Sequence, residues 1–257
     1  MKIFILCGGF GSRLDYEGKT KAKPMVEIGN KPMLMHIIEN FCKQNFNEFV
    51  ICLGHKGKTI IDYFLKENQS STQILKKKRD NIYIKFKSRK LNFYANLINT
   101  GIKTGTGGRI LFANSALKLS EDIMMTYGDG LSNVNLNKLK KFHYKKRAEV
   151  TLTAVRPKQR YGILGIKNDI INYFDNSNKK INTYINGGFF IISKNAIKQI
   201  KKNSTYWEKE PLNFFIKKRK LFAFKHQGFW KSMDTLKDKN DFNSMIKNKK
   251  KPWLKIV

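Results

Sequence analysis

The chain of 257 residues contains little cysteine and no long apolar run, and each scarcity excludes a class of protein. Its 3 cysteines, Cys7, Cys42 and Cys52, are odd in number and lack the spacing of metal-binding pairs. They therefore exclude a disulfide framework and predict reduced thiols in the core. No apolar stretch approaches the roughly 18 residues that a membrane helix needs, and the run near the N-terminus is too short for a secretory signal. We therefore expect a cytoplasmic protein with no membrane partner.

Acidic residues are also scarce: 19 Asp and Glu stand against 51 Lys and Arg, a formal net charge of +32. Such a balance ordinarily suggests a nucleic-acid partner. The basic residues are spread along the whole chain, however, and aromatic and basic residues do not interleave as they do in RNA-binding surfaces. The sequence therefore favours a solvated basic surface and argues against nucleic acid, with a polyanion-binding site as the alternative.

Hydrophobic periodicity predicts an α/β fold. The chain opens in the order strand, helix, strand, helix, which is typical of a parallel sheet with right-handed crossovers. Strands are predicted at 3–7, 48–54, 122–127, 149–155 and 184–192, a hairpin at 161–173, and helices at 32–41, 58–66, 109–119, 136–147, 194–202 and 210–220. Short polar-edged strands within 66–98 suggest a small β excursion. We expect a single domain over 1–257, with a C-terminal part at 205–257.

The first strand leads directly into a glycine-rich loop. Residues 3–7 form an apolar run typical of a buried parallel strand. Gly8, Gly9 and Gly11 then let backbone N–H groups approach a ligand, and α/β folds bind phosphates at such loops. Arg13 would add a fixed cation. A plain glycine-rich turn is the alternative, because the loop lacks the Lys of a Walker A motif and the third Gly of a dinucleotide fingerprint.

Two further stretches offer cations to the same phosphates. Pro24 disfavours a helical conformation for Lys23, so we expect Lys23 to be extended and able to reach back to the loop. A second Gly- and Thr-rich loop, at 99–109, ends in Arg109 and suggests a second phosphate contact. An ordinary loop lysine is the alternative for Lys23.

Two aspartates have the surroundings of metal ligands. Asp129 follows a predicted strand within Gly-Asp-Gly, at the strand end where parallel sheets bind ligands. Asp234 lies among aromatic and apolar residues, where an unpaired carboxylate would be costly. Since Mg²⁺ uses one or two carboxylates together with substrate phosphates, we interpret the two as one Mg²⁺ site. A turn aspartate that caps the next helix is the alternative for Asp129. Asn186 is a candidate for binding a sugar hydroxyl, and its alternative is a turn residue with positive φ.

Stretches along the whole chain resemble the sugar-1-phosphate nucleotidyltransferase family. They are 6–14 followed by Lys23-Pro24-Met25, then 106–109, 126–130, 185–190, 207–212 and 228–236. The last two are similar to the glucose-1-phosphate cytidylyltransferase branch. The resemblance implies a Rossmann-like mixed, mostly parallel sheet flanked by helices. It also implies transfer of a cytidylyl group from CTP to glucose 1-phosphate with Mg²⁺, giving CDP-glucose for deoxysugar and surface-polysaccharide synthesis, and assembly into a homo-oligomer.

The resemblance also implies roles for individual residues. Arg13 and Lys23 are the catalytic cations, and Asp129 and Asp234 hold Mg²⁺. The substrate-binding residues are Leu6, Cys7, Gly8, Gly9, Phe10, Gly11, Ser12, Arg13, Lys23, Thr104, Arg109, Gly128, Lys179 and Asn186. Among them, Thr104 would hold the nucleotide, and Arg109 and Asn186 would face the substrate phosphate and the sugar.

One departure from the family concerns the sugar. Asn176 and Ser177 stand where the family has a Glu-Lys pair that serves the sugar phosphate, and Lys179 or Lys180 would have to supply the missing charge. Two alternatives therefore stay open: a nucleotidyltransferase for another sugar phosphate or nucleotide, and a non-catalytic nucleotide-sugar-binding protein.

Overall fold

The computed structural model describes residues 1–9, 20–157 and 183–257, and the backbone of 163–167 and 170–175. The strands are β1 (Ile3–Cys7), β2 (Glu27–Ile28), β3 (Lys31–Pro32), β4 (Glu48–Leu53), β5 (Thr72–Lys78), β6 (Asn81–Lys87), β7 (Asn92–Asn99), β8 (Ile123–Tyr127), β9 (Gly130–Ser132), β10 (Val150–Val155), β11 (Ile163–Lys167), β12 (Ile170–Asp175), β13 (Ile185–Ile192), β14 (Leu221–His226) and β15 (Trp230–Ser232). The helices are α1 (Met33–Cys42), α2 (Gly57–Asp62), α3 (Thr106–Leu117), α4 (Leu136–Lys145), α5 (Lys194–Ile197), α6 (Glu210–Lys217) and α7 (Leu236–Lys247).

A mixed sheet of nine strands organises the described part of the chain, in the order β14-β10-β13-β8-β1-β4-β7-β6-β5. The central strands β8, β1, β4 and β7 are mutually parallel. Strands β13 and β6 run antiparallel to the other seven strands, which all run in one direction, so the sheet is mostly parallel. The predicted α/β class, with helices packed on the sheet, is confirmed. The predicted β excursion continues the main sheet, because β7 pairs with β4.

Both faces of the sheet are covered, which explains why the central strands are continuously apolar. In β1, the side chains of Ile3 and Ile5 pack into one buried cluster with α1. Phe4 and Leu6 pack into a second cluster on the other face, with α3 and Trp207. Successive side chains of a strand point to opposite faces, so a strand between two helical layers needs apolar residues at every position.

Most predicted elements are present, with shifted ends. The hairpin predicted at 161–173 corresponds to the antiparallel pair β11 and β12. The helix predicted at 58–66 divides into α2 and a π-helical turn, Tyr63–Glu67, and the helix predicted at 194–202 ends at Ile197. Within the described ranges, none of the helices has the length and apolar composition needed to cross a bilayer.

Candidate active site

A pocket opens where the central parallel strands end. It is lined by Leu6, Cys7, Gly8, Gly9, Lys23, Pro24, Ile102, Lys103, Thr104, Thr106, Arg109, Tyr127, Gly128, Asp129 and Tyr206. The ends of β1 and β8 meet here because the two strands pair in parallel, with Leu6 opposite Tyr127. This is the edge at which open α/β sheets bind ligands.

Gly128 lets the chain pass through a crowded corner of this pocket. Its N–H donates to the Leu6 carbonyl at 3.1 Å. A Cβ atom at this position would lie 2.5 Å from Cγ of Pro24 and 3.2 Å from Sγ of Cys7. The glycine therefore brings Asp129 close to the loop that follows β1.

The two predicted metal aspartates lie side by side, although 105 positions separate them in the sequence. Strands β9 and β15 pair antiparallel, with Gly130 opposite Ser232. The N–H of Met233 donates to the Asp129 carbonyl at 2.8 Å, which extends the pairing by one step. The residues flanking the end of this ladder, Asp129 and Asp234, are thereby brought together.

Lys23 joins the two aspartates. Its Nζ donates to Oδ2 of Asp129 at 2.7 Å and to Oδ1 of Asp234 at 2.9 Å. The hydroxyl of Ser232 donates to the other carboxylate oxygen of Asp234 at 2.9 Å. Both carboxylates therefore converge on one point that holds a positive charge.

The electrostatic balance keeps Lys23 charged. Burial alone would lower the pKa of Lys23, but the charges and hydrogen bonds of the two carboxylates outweigh burial and raise that pKa above its ordinary value. Lys23 therefore carries its proton throughout the physiological range.

The expectation that Lys23 is extended is wrong. Lys23–Met25 is a short 3-10 turn closed by a hydrogen bond from the Met25 N–H to the Ala22 carbonyl, at 2.7 Å. Proline only disfavours a helical conformation at the residue before it. In this chain the turn and the two carboxylate contacts outweigh that preference.

The donor chemistry of the aspartate pair fits Mg²⁺. Mg²⁺ prefers carboxylate oxygens and usually keeps positions for substrate phosphates and water. Among the residues that the structure describes, no group of three or more His, Cys, Asp or Glu could enclose a metal. Two converging carboxylates beside an open pocket therefore suit a metal ion that arrives with its phosphates better than a closed structural site.

Arg109 lies beneath the pocket and is only 4% exposed. Its Nη1 donates to Thr100 Oγ1 at 2.7 Å and to the carbonyls of Leu53 and Gly101 at 3.0 and 2.8 Å. Its Nη2 donates to the Gly8 carbonyl at 3.0 Å. The guanidinium thus joins the glycine loop to the ends of β4 and β7, and its predicted contact with a substrate phosphate stays a prediction.

Two glycines of the second predicted phosphate loop, Gly105 and Gly108, have backbone partners within the chain, and the phosphate contact of this loop stays a prediction. The N–H of Gly105 donates to the Asn203 carbonyl at 2.8 Å and that of Gly108 to the Thr205 carbonyl at 3.1 Å. A Cβ atom at Gly108 would lie 1.8 Å from the Asn203 carbonyl oxygen. These glycines therefore let the segment 203–207 pack closely on the first turn of α3.

Thr104 and Asn186 also have partners within the chain. The Thr104 hydroxyl donates to the Thr100 carbonyl at 2.5 Å, and the residue still lines the pocket. The side-chain oxygen of Asn186 accepts the N–H of Gly188 at 2.8 Å, where Gly188 has a φ of 78°. Asn186 itself lies within β13 and does not have a positive φ, so the positive-φ turn named as its alternative is wrong, while its contact with a sugar stays a prediction.

Glu208 is a residue at the pocket to which the sequence assigns no role. It accepts hydrogen bonds from the Tyr127 hydroxyl and, at 2.6 Å, from the Thr106 hydroxyl. Burial, followed by the negative charge of Glu208, raises the pKa of Tyr127, so the phenol stays protonated. The Trp-Glu pair at 207–208 is a visible signal, but only the fold brings it to Tyr127.

Several predicted substrate-binding positions lie outside the described residues. They are Phe10, Gly11, Ser12, Arg13 and Lys179, together with Lys180, Asn176 and Ser177. The described part of the site therefore consists of the ends of β1 and β8, the acidic pair with Lys23, and the wall formed by 102–109 and 206–208.

The chain is similar to known proteins along nearly its whole length. The family model described as nucleotidyl transferase matches residues 2–238. The chain is 36% identical over 253 residues to a glucose-1-phosphate cytidylyltransferase of Salmonella typhimurium, covering 98% of both chains. It is 34% identical over 257 residues to a probable glucose-1-phosphate cytidylyltransferase of Bacillus subtilis, covering 98% of this chain and 99% of that one.

Solved structures share the fold at lower identity. A putative glucose-1-phosphate thymidylyltransferase from Bacillus anthracis has a TM-score of 0.67 at 16% identity, covering 95% of this chain and 94% of that one. HddC from Yersinia pseudotuberculosis, complexed with GMP-PN, has a TM-score of 0.65 at 23% identity, covering 95% and 99%. At these identities the likeness concerns the fold alone.

Proposed function

Because the chain belongs to the nucleotidyl transferase family, we propose that it transfers the cytidylyl group of CTP to glucose 1-phosphate. The products are CDP-glucose and pyrophosphate. The choice of substrates is supported by 36% identity to a glucose-1-phosphate cytidylyltransferase over 98% of both chains. The observation that carries the chemistry is the convergence of Asp129, Asp234 and Lys23 at the carboxyl edge of the sheet.

The reaction needs little proton transfer. A sugar phosphate is mostly dianionic near neutral pH, since its second pKa is about 6. Its oxygen forms a new bond to the α-phosphorus of CTP, while the bond from that phosphorus to the oxygen bridging to the β-phosphate breaks and pyrophosphate leaves with that electron pair. The main obstacle is bringing two polyanions together, so catalysis consists of positioning and charge neutralisation.

The charged residues of the candidate site would share the positioning of the substrates and the neutralisation of their charge. Asp129 and Asp234 would hold Mg²⁺, and the bound metal would neutralise phosphate charge. Lys23, fixed between these carboxylates, offers its ammonium to the nucleotide phosphates. Arg109 donates to the carbonyl of Gly8 and so fixes the backbone on which the nucleotide would lie. Arg13, outside the described residues, would add a second cation.

The proposal extends to the setting of the enzyme. We expect a cytoplasmic homo-oligomer whose product supplies deoxysugar synthesis for surface polysaccharide. The resemblance in the motifs of the sequence supports this setting.

The test is pyrophosphate release with Mg²⁺, with CTP, UTP, dTTP, ATP and GTP each paired with glucose 1-phosphate and with mannose 1-phosphate. We expect release only with CTP and glucose 1-phosphate, and mass spectrometry should identify CDP-glucose. Release only with mannose 1-phosphate would indicate that the departure at 176–177 has changed the choice of sugar, and release with another nucleotide would indicate a nucleotidyltransferase of different nucleotide choice. No release from folded protein that still binds CTP would contradict the proposal and favour a non-catalytic nucleotide-binding role.

A further inference from the structure

Asp238, in the first turn of α7, holds the backbone of the second metal aspartate. One of its carboxylate oxygens, Oδ2, accepts the N–H of Asp234 at 3.1 Å, the N–H of Thr235 at 3.0 Å and the hydroxyl of Thr235 at 2.9 Å. The Asp238 side chain is 5% exposed. A buried carboxylate is costly unless it is paired and hydrogen-bonded, and these donors supply part of that compensation.

Lys231 supplies further compensation for the Asp238 carboxylate. Its Nζ donates to the other oxygen of Asp238, Oδ1, at 3.0 Å and to Asp241 at 2.9 Å. Lys231 precedes Ser232 in β15, and Ser232 donates to the Asp234 carboxylate. The segment 233–235 is therefore held by hydrogen bonds to residues of both β15 and α7.

Capping of α7 explains only part of this arrangement. Thr235 and Asp238 form a capping box, in which each side chain bonds the backbone N–H of the other residue. A capping box does not require a bond to the N–H of the preceding residue, which here is Asp234. That additional bond acts directly on the residue whose carboxylate meets Lys23 and Asp129.

We propose that Asp238 is a positioning residue for the Mg²⁺ site, because it fixes the backbone from which the Asp234 carboxylate reaches Asp129. The proposal rests on the proposed function for the identity of the metal and the nucleotide. Residues that orient metal ligands typically change metal affinity by about 10- to 100-fold when they are replaced.

The test compares Asp238→Asn with Asp241→Asn. Asparagine has the shape of aspartate, but no orientation of its amide satisfies both sides, since one side presents three donors and the other presents the Lys231 ammonium. Asp241→Asn removes a charge from the same helix and the same lysine without touching the Asp234 backbone. We expect the factor by which Mg²⁺ strengthens CTP binding, measured by calorimetry with Mg²⁺ and with EDTA, to fall about tenfold in Asp238→Asn only.

Hydrogen exchange tests the geometry without a ligand. We expect the amides of Asp234 and Thr235 to exchange at least several-fold faster in Asp238→Asn and at the wild-type rate in Asp241→Asn. Unchanged exchange together with an unchanged Mg²⁺ factor in folded Asp238→Asn would overturn the proposal. Wild-type protein that binds CTP without any Mg²⁺ effect would instead contradict the proposed metal site, and the exchange result would still report on positioning.

A second variant covers the case in which Asp238→Asn does not fold. Lys231→Met leaves the capping carboxylate in place but removes its counter-charge, so we expect faster exchange at Asp234 and a several-fold loss of the Mg²⁺ factor. Wild-type values for both quantities in this variant would overturn the proposal.

Discussion

At the scale of single residues, three charged groups at the edge of the sheet depend on one another. Lys23 bonds both Asp129 and Asp234, and the pKa of Lys23 is raised because the two carboxylates outweigh its burial. Replacing either carboxylate by a neutral group therefore alters both the candidate metal site and the surroundings of the lysine.

We expect Asp129→Asn to lower the rate of pyrophosphate release by at least about a hundredfold, because charge stabilisation at the phosphates is the main catalytic contribution. Asparagine keeps the size of the side chain and an oxygen that can accept from Lys23, so we expect the far-ultraviolet circular dichroism spectrum to be unchanged.

The control is Asp62→Asn, which removes the carboxylate at the end of α2 from its i,i+4 ion pair with Lys66 in the following π-helical turn. We expect this variant to turn over at the wild-type rate. An Asp129→Asn enzyme within threefold of wild type would rule out a role for that charge in catalysis.

His36 is a buried residue that makes stability depend on pH. It is 1% exposed, its Nε2 lies 2.9 Å from the Ile28 carbonyl, and its ring lies at 89° to the ring of Trp253 with the ring centroids 5.5 Å apart. Burial, followed by the positive charge of Lys31, lowers the pKa of His36 to about 4. The unfolded chain therefore binds this proton near pH 6.5, whereas the folded chain does not bind it until about pH 4.

The difference between the two pKa values sets the direction in which the free energy of unfolding changes with pH. Above pH 6.5 the group is neutral in both states, and stability is lost as the pH falls from about 6.5 towards 4. We expect wild type to lose about 2 kcal/mol more than His36→Gln in urea-unfolding free energy between pH 8 and pH 5. Gln keeps an N–H donor for the Ile28 carbonyl, and equal losses in the two proteins would contradict this assignment.

At the scale of secondary-structure elements, a close contact between α3 and the segment 203–207 shapes one wall of the pocket. Gly105 and Gly108 donate to carbonyls of that segment. The N–H of Trp207 donates to the Thr106 hydroxyl at 2.9 Å. The same segment leads to Tyr206, which lines the pocket, and to Glu208, which bonds Tyr127.

We expect Gly108→Ala to destabilise the protein by about 1–3 kcal/mol, because the added methyl would collide with the Asn203 carbonyl. Helix propensity alone predicts the opposite change in stability, because alanine is favoured over glycine by about 1 kcal/mol within a helix. We also expect the KM for substrates to rise, as the displaced segment carries Tyr206.

Ser115→Ala is the matched control for this variant, because Ser115 is an exposed position on the same helix. We expect its unfolding free energy to lie within about 0.5 kcal/mol of wild type. A Gly108→Ala protein more stable than wild type would indicate that helix propensity outweighs the contact.

The sequence predicts those elements whose pattern of apolar residues follows the pattern of burial in the fold. The central strands are apolar at every position, and α1 repeats apolar residues at helical spacing, so their patterns are clear. Strand β5 is almost entirely exposed at the sheet edge. Helix α7 buries only Asp238 and Phe242, so neither of these two elements has a periodic apolar signal.

Individual residues of the candidate site can be predicted from the sequence, but their contacts cannot. Asp129 and Asp234 are recognisable from their local surroundings and from the family motifs. Their contact with Lys23 spans 106 and 211 positions and depends on the β9–β15 ladder. The partners of Arg109 are mostly backbone carbonyls, which every residue possesses, so no pattern of side chains could have indicated them.

At the scale of the whole molecule, the net charge of +32 affects stability and substrate capture in opposite ways. Since 51 basic residues face 19 acidic ones, at least 32 basic groups have no carboxylate of their own. Such an excess repels itself in the compact state, and it also attracts anionic substrates. Salt screens both effects over distances beyond about 10 Å at 0.1 M.

We therefore expect sodium chloride, raised from about 0.02 to 0.3 M, to increase the melting temperature by several degrees while kcat/KM for CTP falls several-fold and kcat stays constant. Glycerol at equal osmolality should not reproduce this pair of opposite changes. Reversing the charge of Lys138, Lys141 and Lys145, which are exposed on α4, replaces three positive charges by three negative ones without touching the pocket. That variant should melt higher at low salt and respond less to salt. A melting temperature that falls with salt in both proteins would mean that self-repulsion does not limit the stability of the fold.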